Sequence, residues 1–432
     1  MHRHHTSPTK LATLTAGLVA LCAQAAAQTA APAPVVASTP PAPASLQDAL
    51  LKGKPSLNAR LRYETVDQEG FTDADALTFR VRAGYTTGTY AGFQAMVEGE
   101  ANVPLVTDYY DGTGTNASRY ATVADPEIYE LNQAWLSYTH EKTKATLGRQ
   151  RINLDNARFV GDVAWRQNQQ TFDAAVLQDK SFDKLTLTYA YLSKVNRVFD
   201  DRAAQYDWNS DSHIANASYA GLPFGTLTGY AYLLDFPETE DLAKAHSSQT
   251  YGASFAGSPK ITDDISALYR IEYATQRDYA SSALNYQSDY YLGELGAKFL
   301  KNYTLSLGYE VLGSDDGRAG SGFKTPLSTL HAHNGWADKF LATPDGGLED
   351  TYLKATAALP ANLAFTGLYH WFESDETGVA FGTELDLQLT YTFNKQFSAT
   401  AKAALYTGDS AAPTAALRAD TDKYWLQIDY AY

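Results

Sequence analysis

The chain of 432 residues contains one cysteine and two methionines. A single thiol supplies neither a disulfide framework nor a cysteine-built zinc cage. Charge is sparse, 19% of residues, and of the wrong sign for nucleic acid: 34 Lys plus Arg against 49 Asp plus Glu leaves a net charge of −15. A duplex binder carries a basic patch, and a helix lying on an anionic membrane is basic too, so both classes are excluded. Beyond the N-terminal segment no run approaches the roughly 18 consecutive apolar residues of a spanning helix. What is abundant is tyrosine, 30 residues, among Thr, Ala, Gly and scattered turn residues. That composition suits many short strands.

The N-terminus reads as an address. Residues 1–27 carry Arg3 and Lys10, then the run LATLTAGLVALCAQAAA, which closes on the A-x-A patterns Ala23-Gln24-Ala25 and Ala25-Ala26-Ala27. This is the pattern of a secretory signal peptide. The run is short and broken by Thr and Gly for a retained anchor, and the large Leu21 before Cys22 argues against lipidation. Residues 28–50 are expected to be a Pro/Ala-rich disordered leader. The barrel described next is expected over 51–432.

From there the chain alternates with period two. Leu57, Ala59, Leu61 and Tyr63 interleave with Asn58, Arg60, Arg62 and Glu64; Leu77, Phe79, Val81, Ala83 and Tyr85 interleave with Thr78, Arg80, Arg82 and Gly84. Tyr303 to Val311 and Leu385 to Phe393 repeat the pattern. Alternate side chains of a strand point to opposite faces. A sandwich core and a lipid-facing wall both give an apolar face, but here the other face carries Arg, Glu, Asp, Gln and Thr on strand after strand, which predicts a water-filled lumen. Counting segments predicts about 18 strands in an all-β, transmembrane antiparallel β-barrel. Short turns alternate with long loops, the outer-membrane pattern. Segments 170–178 and 211–220 carry the weakest alternation, and Arg149 and Arg151 fit neither face. The chain ends in mid-pattern on Tyr432, which resembles the closing strand of an outer-membrane barrel read by the barrel assembly machinery.

The segment from Glu130 to Ala174 contains NQAWLSY and TLGRQRINLDNARFVGDVAWRQNQQTFDA. With the barrel plan and the aromatic end, it resembles the alginate-export family of outer-membrane porins. The resemblance implies a monomeric barrel in the outer membrane of a Gram-negative bacterium, bedded in lipid and lipopolysaccharide. It also implies an electropositive lumen that passes an anionic saccharide or another anionic solute, with no cofactor.

Candidate pore-lining residues follow from the alternation. Arg60, Arg62, Arg80 and Arg82 face the lumen from two adjacent strands. Two readings stand side by side: a ladder of guanidinium groups for carboxylates, or internal neutralisation by Glu64, Glu98 and Glu100. Arg270, Lys298 and Lys402 are further luminal cations. The segment 152–169, with Asn153, Asp155, Arg158, Asp162, Trp165 and Arg166, is expected to fold inward and narrow the pore. His331 and His333, in the long Gly-rich segment 313–350, lack the further ligands a metal needs. The rival classes are an outer-membrane acyl hydrolase and an adhesive or structural barrel. The hydrolase would use Ser374 near His370 or Ser137 near His140, but no G-x-S-x-G elbow is present.

Overall fold

The computed structural model describes residues 45–113, 116–117, 119–203, 206–237 and 241–432. The expected signal peptide, and the leader up to residue 44, lie outside the described residues. At the leader's end Leu46–Leu51 form one helical turn, capped by the Ser45 hydroxyl, which accepts from the Asp48 N–H.

Eighteen strands follow. The first six are β1 (Lys54–Gln68), β2 (Ala74–Thr86), β3 (Phe93–Asp108), β4 (Ile128–His140), β5 (Thr143–Gln150) and β6 (Thr171–Asp179). The next six are β7 (Leu185–Asn196), β8 (Asp207–Leu222), β9 (Gly225–Leu234), β10 (Ser248–Gly257), β11 (Ile265–Asp278) and β12 (Gln287–Phe299). The last are β13 (Tyr303–Leu312), β14 (Leu348–Leu359), β15 (Leu363–Glu373), β16 (Ala380–Thr392), β17 (Phe397–Gly408) and β18 (Thr421–Ala431). Each pairs antiparallel with its neighbour in sequence, and β1 pairs with β18 from Asn58↔Ala431 to Gln68↔Thr421, closing one 18-stranded sheet on itself. Closure leaves no open edge, which lipid could not satisfy. The two segments of weak alternation are β6 and β8, and both sit in the ladder with register breaks.

The pleat sorts the side chains as the alternation predicts. Leu61, Phe79, Leu147, Leu295 and Ile428 stand on the outer wall, exposed to 37–69% without lipid around them. Arg62, Glu64, Arg80, Glu100 and Glu384 point inward and are buried. Near the long-loop end, outward tyrosines donate to carboxylates one step nearer the loops: Tyr63 to Asp75, Tyr129 to Glu127 (3.2 Å), Tyr273 to Asp289 (3.2 Å) and Tyr424 to Asp422 (3.4 Å). These pairs mark where the apolar wall meets the polar rim.

The lumen is not water-filled throughout, as the alternation alone suggested. At mid-height it holds a hydrophobic core. Phe159, from the connection between β5 and β6, packs against the luminal rings of Tyr230 (5.3 Å between centroids) and Tyr290 (5.2 Å), and against Phe323 (6.0 Å) from the connection between β13 and β14. Burying a ring such as Phe159 contributes about 1.5–3 kcal/mol, so the two connections are held inside rather than left in solvent.

Candidate functional site

Two connections fold into the lumen: residues 151–170 and 313–347. They are stitched together by a short parallel bridge, Val160↔Leu327, with Gly161 donating to the Leu327 carbonyl (2.8 Å) and Thr329 to the Ala157 carbonyl (3.0 Å). The expected inward fold of 152–169 is therefore observed. Its partner, the Gly-rich segment with two histidines, carried no sequence signal of that role.

The arginine cluster sits beneath the first loop. Register places Arg60 directly opposite Arg80, and Arg82 opposite Glu100. Arg60 pairs with Asp429 (2.8 Å) and also donates to the Trp165 carbonyl (3.0 Å). Arg62 donates to Gln427 and the Trp165 carbonyl (2.6 Å), and stacks on the Trp165 ring at 4.1 Å. Its other amino group faces Asp125 at 3.5 Å. Arg82 is paired with Glu100 and donates to the Gln167 carbonyl (2.9 Å). The arginines are largely neutralised within the chain, and three of them also pin the loop by its carbonyls. Arg80 is the exception. It is 1% exposed, bonds Asn58, and has no carboxylate within ion-pair distance among the described residues. Of the acids the alternation offered, Glu100 alone pairs with one of these arginines among the described residues, and Asp429 and Asp125 take two others. Glu98 instead accepts from Asn132 and Gln133 (both 2.9 Å), two consecutive residues that a register shift brings near the same carboxylate. Glu64 takes Arg166 of the loop.

The loop's own charges are anchors. Arg158, 1% exposed, binds Glu310 of β13 at 2.8 Å and Asn334 of the second loop at 3.0 Å. Burial disfavours its charge, but Glu310 and Tyr290 together outweigh it and raise its pKa. Arg166 reaches Glu64 (3.1 Å) on β1 and Asp338 (2.9 Å) on the second loop. Asp162 accepts from Gln169 at 2.6 Å, and its N–H donates to Asn153 at 2.9 Å. Asp155 accepts from Asn216 of β8 at 2.8 Å. Arg270 pairs with Glu272 at 2.7 Å and touches Asn156. Lys298 stands exposed at the short-turn end of β12, away from the loops.

The second loop docks through His331, Asn334, Trp336 and Asp338. Lys402 of β17 lies 3.6 Å from the Trp336 ring centroid and 4.0 Å from that of Trp165, and its ammonium meets His331 Nε2 at 2.6 Å. His331 Nδ1 meets Asp338 at 2.8 Å and its ring stacks on Trp165. A lysine donating to Nε2 requires a neutral imidazole whose proton is on Nδ1. Burial, then Lys402, holds the His331 pKa well below its ordinary value, which agrees. The amide of Ala337 caps Glu384 (2.6 Å), and that of Trp336 meets Asp386 (3.2 Å). Trp336, Lys402 and Asp338 were absent from any sequence-level constriction set, except Lys402 as a luminal cation. The tryptophan between His and Asp was the one available clue.

The hydrolase geometry is not assembled. Ser374 donates to the Gly346 carbonyl (2.9 Å), while His370 bonds Asp350 (2.8 Å) and turns its other nitrogen toward Asp386 (3.7 Å). Ser137 bonds the Gln94 carbonyl. No group of His, Cys, Asp and Glu suited to a metal ion occurs among the described residues.

A sequence model of a family described as alginate export matches residues 56–377. Comparison with curated protein sequences finds no match. Among solved structures, Acinetobacter baumannii OccAB2 superposes with a TM-score of 0.70 at 17% identity, covering 89% of this chain and 98% of that one. Pseudomonas aeruginosa OccK11 gives 0.65 at 17%, over 88% and 96%. Pseudomonas aeruginosa OpdK, solved with vanillate, gives 0.66 at 16%, over 89% and 99%.

Proposed function

From the premise that the chain belongs to the alginate-export family, and is an outer-membrane channel rather than an enzyme, we propose that it passes anionic solutes, acidic oligo- or polysaccharides foremost. The observation that carries this reading is Arg80. Like charges directly opposite on neighbouring strands are unfavourable, yet Arg80 faces Arg60 across the β1–β2 ladder with no carboxylate of its own. Of the four arginines it is the one without a carboxylate partner among the described residues, so its charge adds to the positive field of the lumen wall. We also propose that the barrel works as a monomer in contact with lipopolysaccharide, as its family resemblance implies.

The test is the reversal potential of the purified channel in a planar bilayer under a salt gradient, followed by addition of uronate oligomers. Anion selectivity, with uronate block weakened in Arg80→Gln, supports the reading. Cation selectivity and indifference to uronates would reject it. A second reading, passage of small carboxylates, is favoured by the filling of the lumen at mid-height, where Phe159, Arg158 and His331 are all buried. Vanillate accompanies the OpdK structure. Current block by a monocarboxylate but not by longer uronates would favour it.

A further inference from the structure

Asp338 is bound by this protein as a ligand would be. Its Oδ2 accepts from Arg166 at 2.9 Å and from Lys423 at 3.1 Å, and its Oδ1 meets His331 Nδ1 at 2.8 Å. The three partners come from the first loop, from β18 and from the second loop. A guanidinium, an ammonium and an imidazole N–H converging on two oxygens is how a carboxylate is held. All four side chains are 6–8% exposed. Lys423 has no other carboxylate within ion-pair distance among the described residues. Asp338 itself rides on a connection docked against the wall, not on the wall.

We propose that Arg166 and Lys423 form a carboxylate-binding site occupied here by the chain's own Asp338, and that a carboxylate of the solute takes its place when the second loop, carrying Asp338 and His331, opens. The inference rests on the anionic-solute reading and adds to it a site and a gate. If Asp338 leaves alone, Lys423 loses its counter-charge, and a buried unpaired charge is strongly disfavoured. A replacing carboxylate removes that penalty, so opening is coupled to the solute. Arg166 keeps Glu64 in either state, which holds the first loop while the second moves. A tethered carboxylate competes at an effective concentration of about millimolar, so the site releases solute readily.

The experiment uses the full chain in planar bilayers, with glucuronate as probe and glucose as the uncharged control. The reading is the glucuronate concentration that produces half the maximal change in open probability. Asp338→Asn removes the internal competitor's charge, and that concentration is expected to fall about tenfold, the factor that 1.4 kcal/mol represents. Lys423→Gln is expected to raise it about tenfold, and this variant carries the test if Asp338→Asn fails to show the heat-dependent gel shift of a folded barrel. An anion-selective channel whose half-concentration is unchanged in the folded variants overturns the gate and leaves the function standing. A wild-type channel without anion preference overturns both. An equal response to glucose would show that the carboxylate is not what the site reads, and the proposal falls.

Discussion

At Gly335 one atom decides whether the second loop can dock. Its φ is +85°, and a Cβ there would fall 2.3 Å from Glu384 Oε2. Glu384 cannot retreat easily, because the Ala337 amide holds its other oxygen. Gly335→Ala is expected to cost the docked loop at least about 1 kcal/mol from its backbone conformation alone. Single-channel currents should become larger and noisier while the barrel stays folded. The histidines add a pH dependence. Burial, then Arg158, holds the His333 imidazole at about 3, and His331 is held well below its ordinary value. Both are neutral in the docked loop. A freed loop takes up protons below about pH 6.5 and the docked one does not, so docking weakens as pH falls. For His333 the loss runs from about 6.5 down to about 3, at up to about 1.4 kcal/mol per pH unit. Asp338, which burial would raise but which Lys423, His331 and Arg166 hold well below the carboxylate range, adds a further loss in more acid solution. Open probability at pH 5 should exceed that at pH 7.5, and a flat profile would show that these histidines are already free.

Among the elements, β5 is the shortest strand and explains a residue that alternation could not place. It pairs with β4 only from Ala134 to His140, so the upper part of β4 lacks a strand on that side. Arg149 fills the place: it donates to the Leu131 carbonyl (3.1 Å) and to Asp173 (2.7 Å), after Gly148 turns at φ +119°. The strands themselves were legible because a two-residue period is local. So was the inward loop, because Ile152 to Gln169 mixes apolar and charged residues more than a solvent loop does. What the sequence could not reveal were partners set by closure. Arg158 meets Glu310, 152 positions away, and Arg166 meets Asp338, 172 positions away. Nothing local distinguishes Asp338 or Asp125 from the other acids of the loops. The bridge between loops gives a prediction of its own. In Val160→Cys with Leu327→Cys, adjacent backbones should place the thiols within reach of a disulfide. Oxidation should then shift migration on a non-reducing gel and quieten the current. No cross-link under oxidation would mean the two loops do not stay joined.

Across the whole molecule, closure is the event on which everything else depends. The β1–β18 ladder joins Arg60 to Asp429, at opposite ends of the described sheet, and leaves neither terminal strand with an open edge in apolar surroundings. Removing residues 424–432 strips β1 and β17 of most of their pairing with β18. The truncated chain should lose the heat-dependent gel shift of a closed barrel; a retained shift would mean that β17 can pair with β1 directly. The net charge of −15 says little about the pore, because acids at the rim count equally with those that neutralise luminal arginines.

The outward tyrosines and the carboxylates just above them act as a waterline. One step between such neighbours on a strand is roughly 7 Å. Were the barrel to sink by that much, Asp75, Glu127, Asp289 and Asp422 would enter hydrocarbon; were it to rise, the tyrosine rings would leave the interface they prefer. The molecule therefore floats at one depth, and a bilayer of another thickness must bend to meet it.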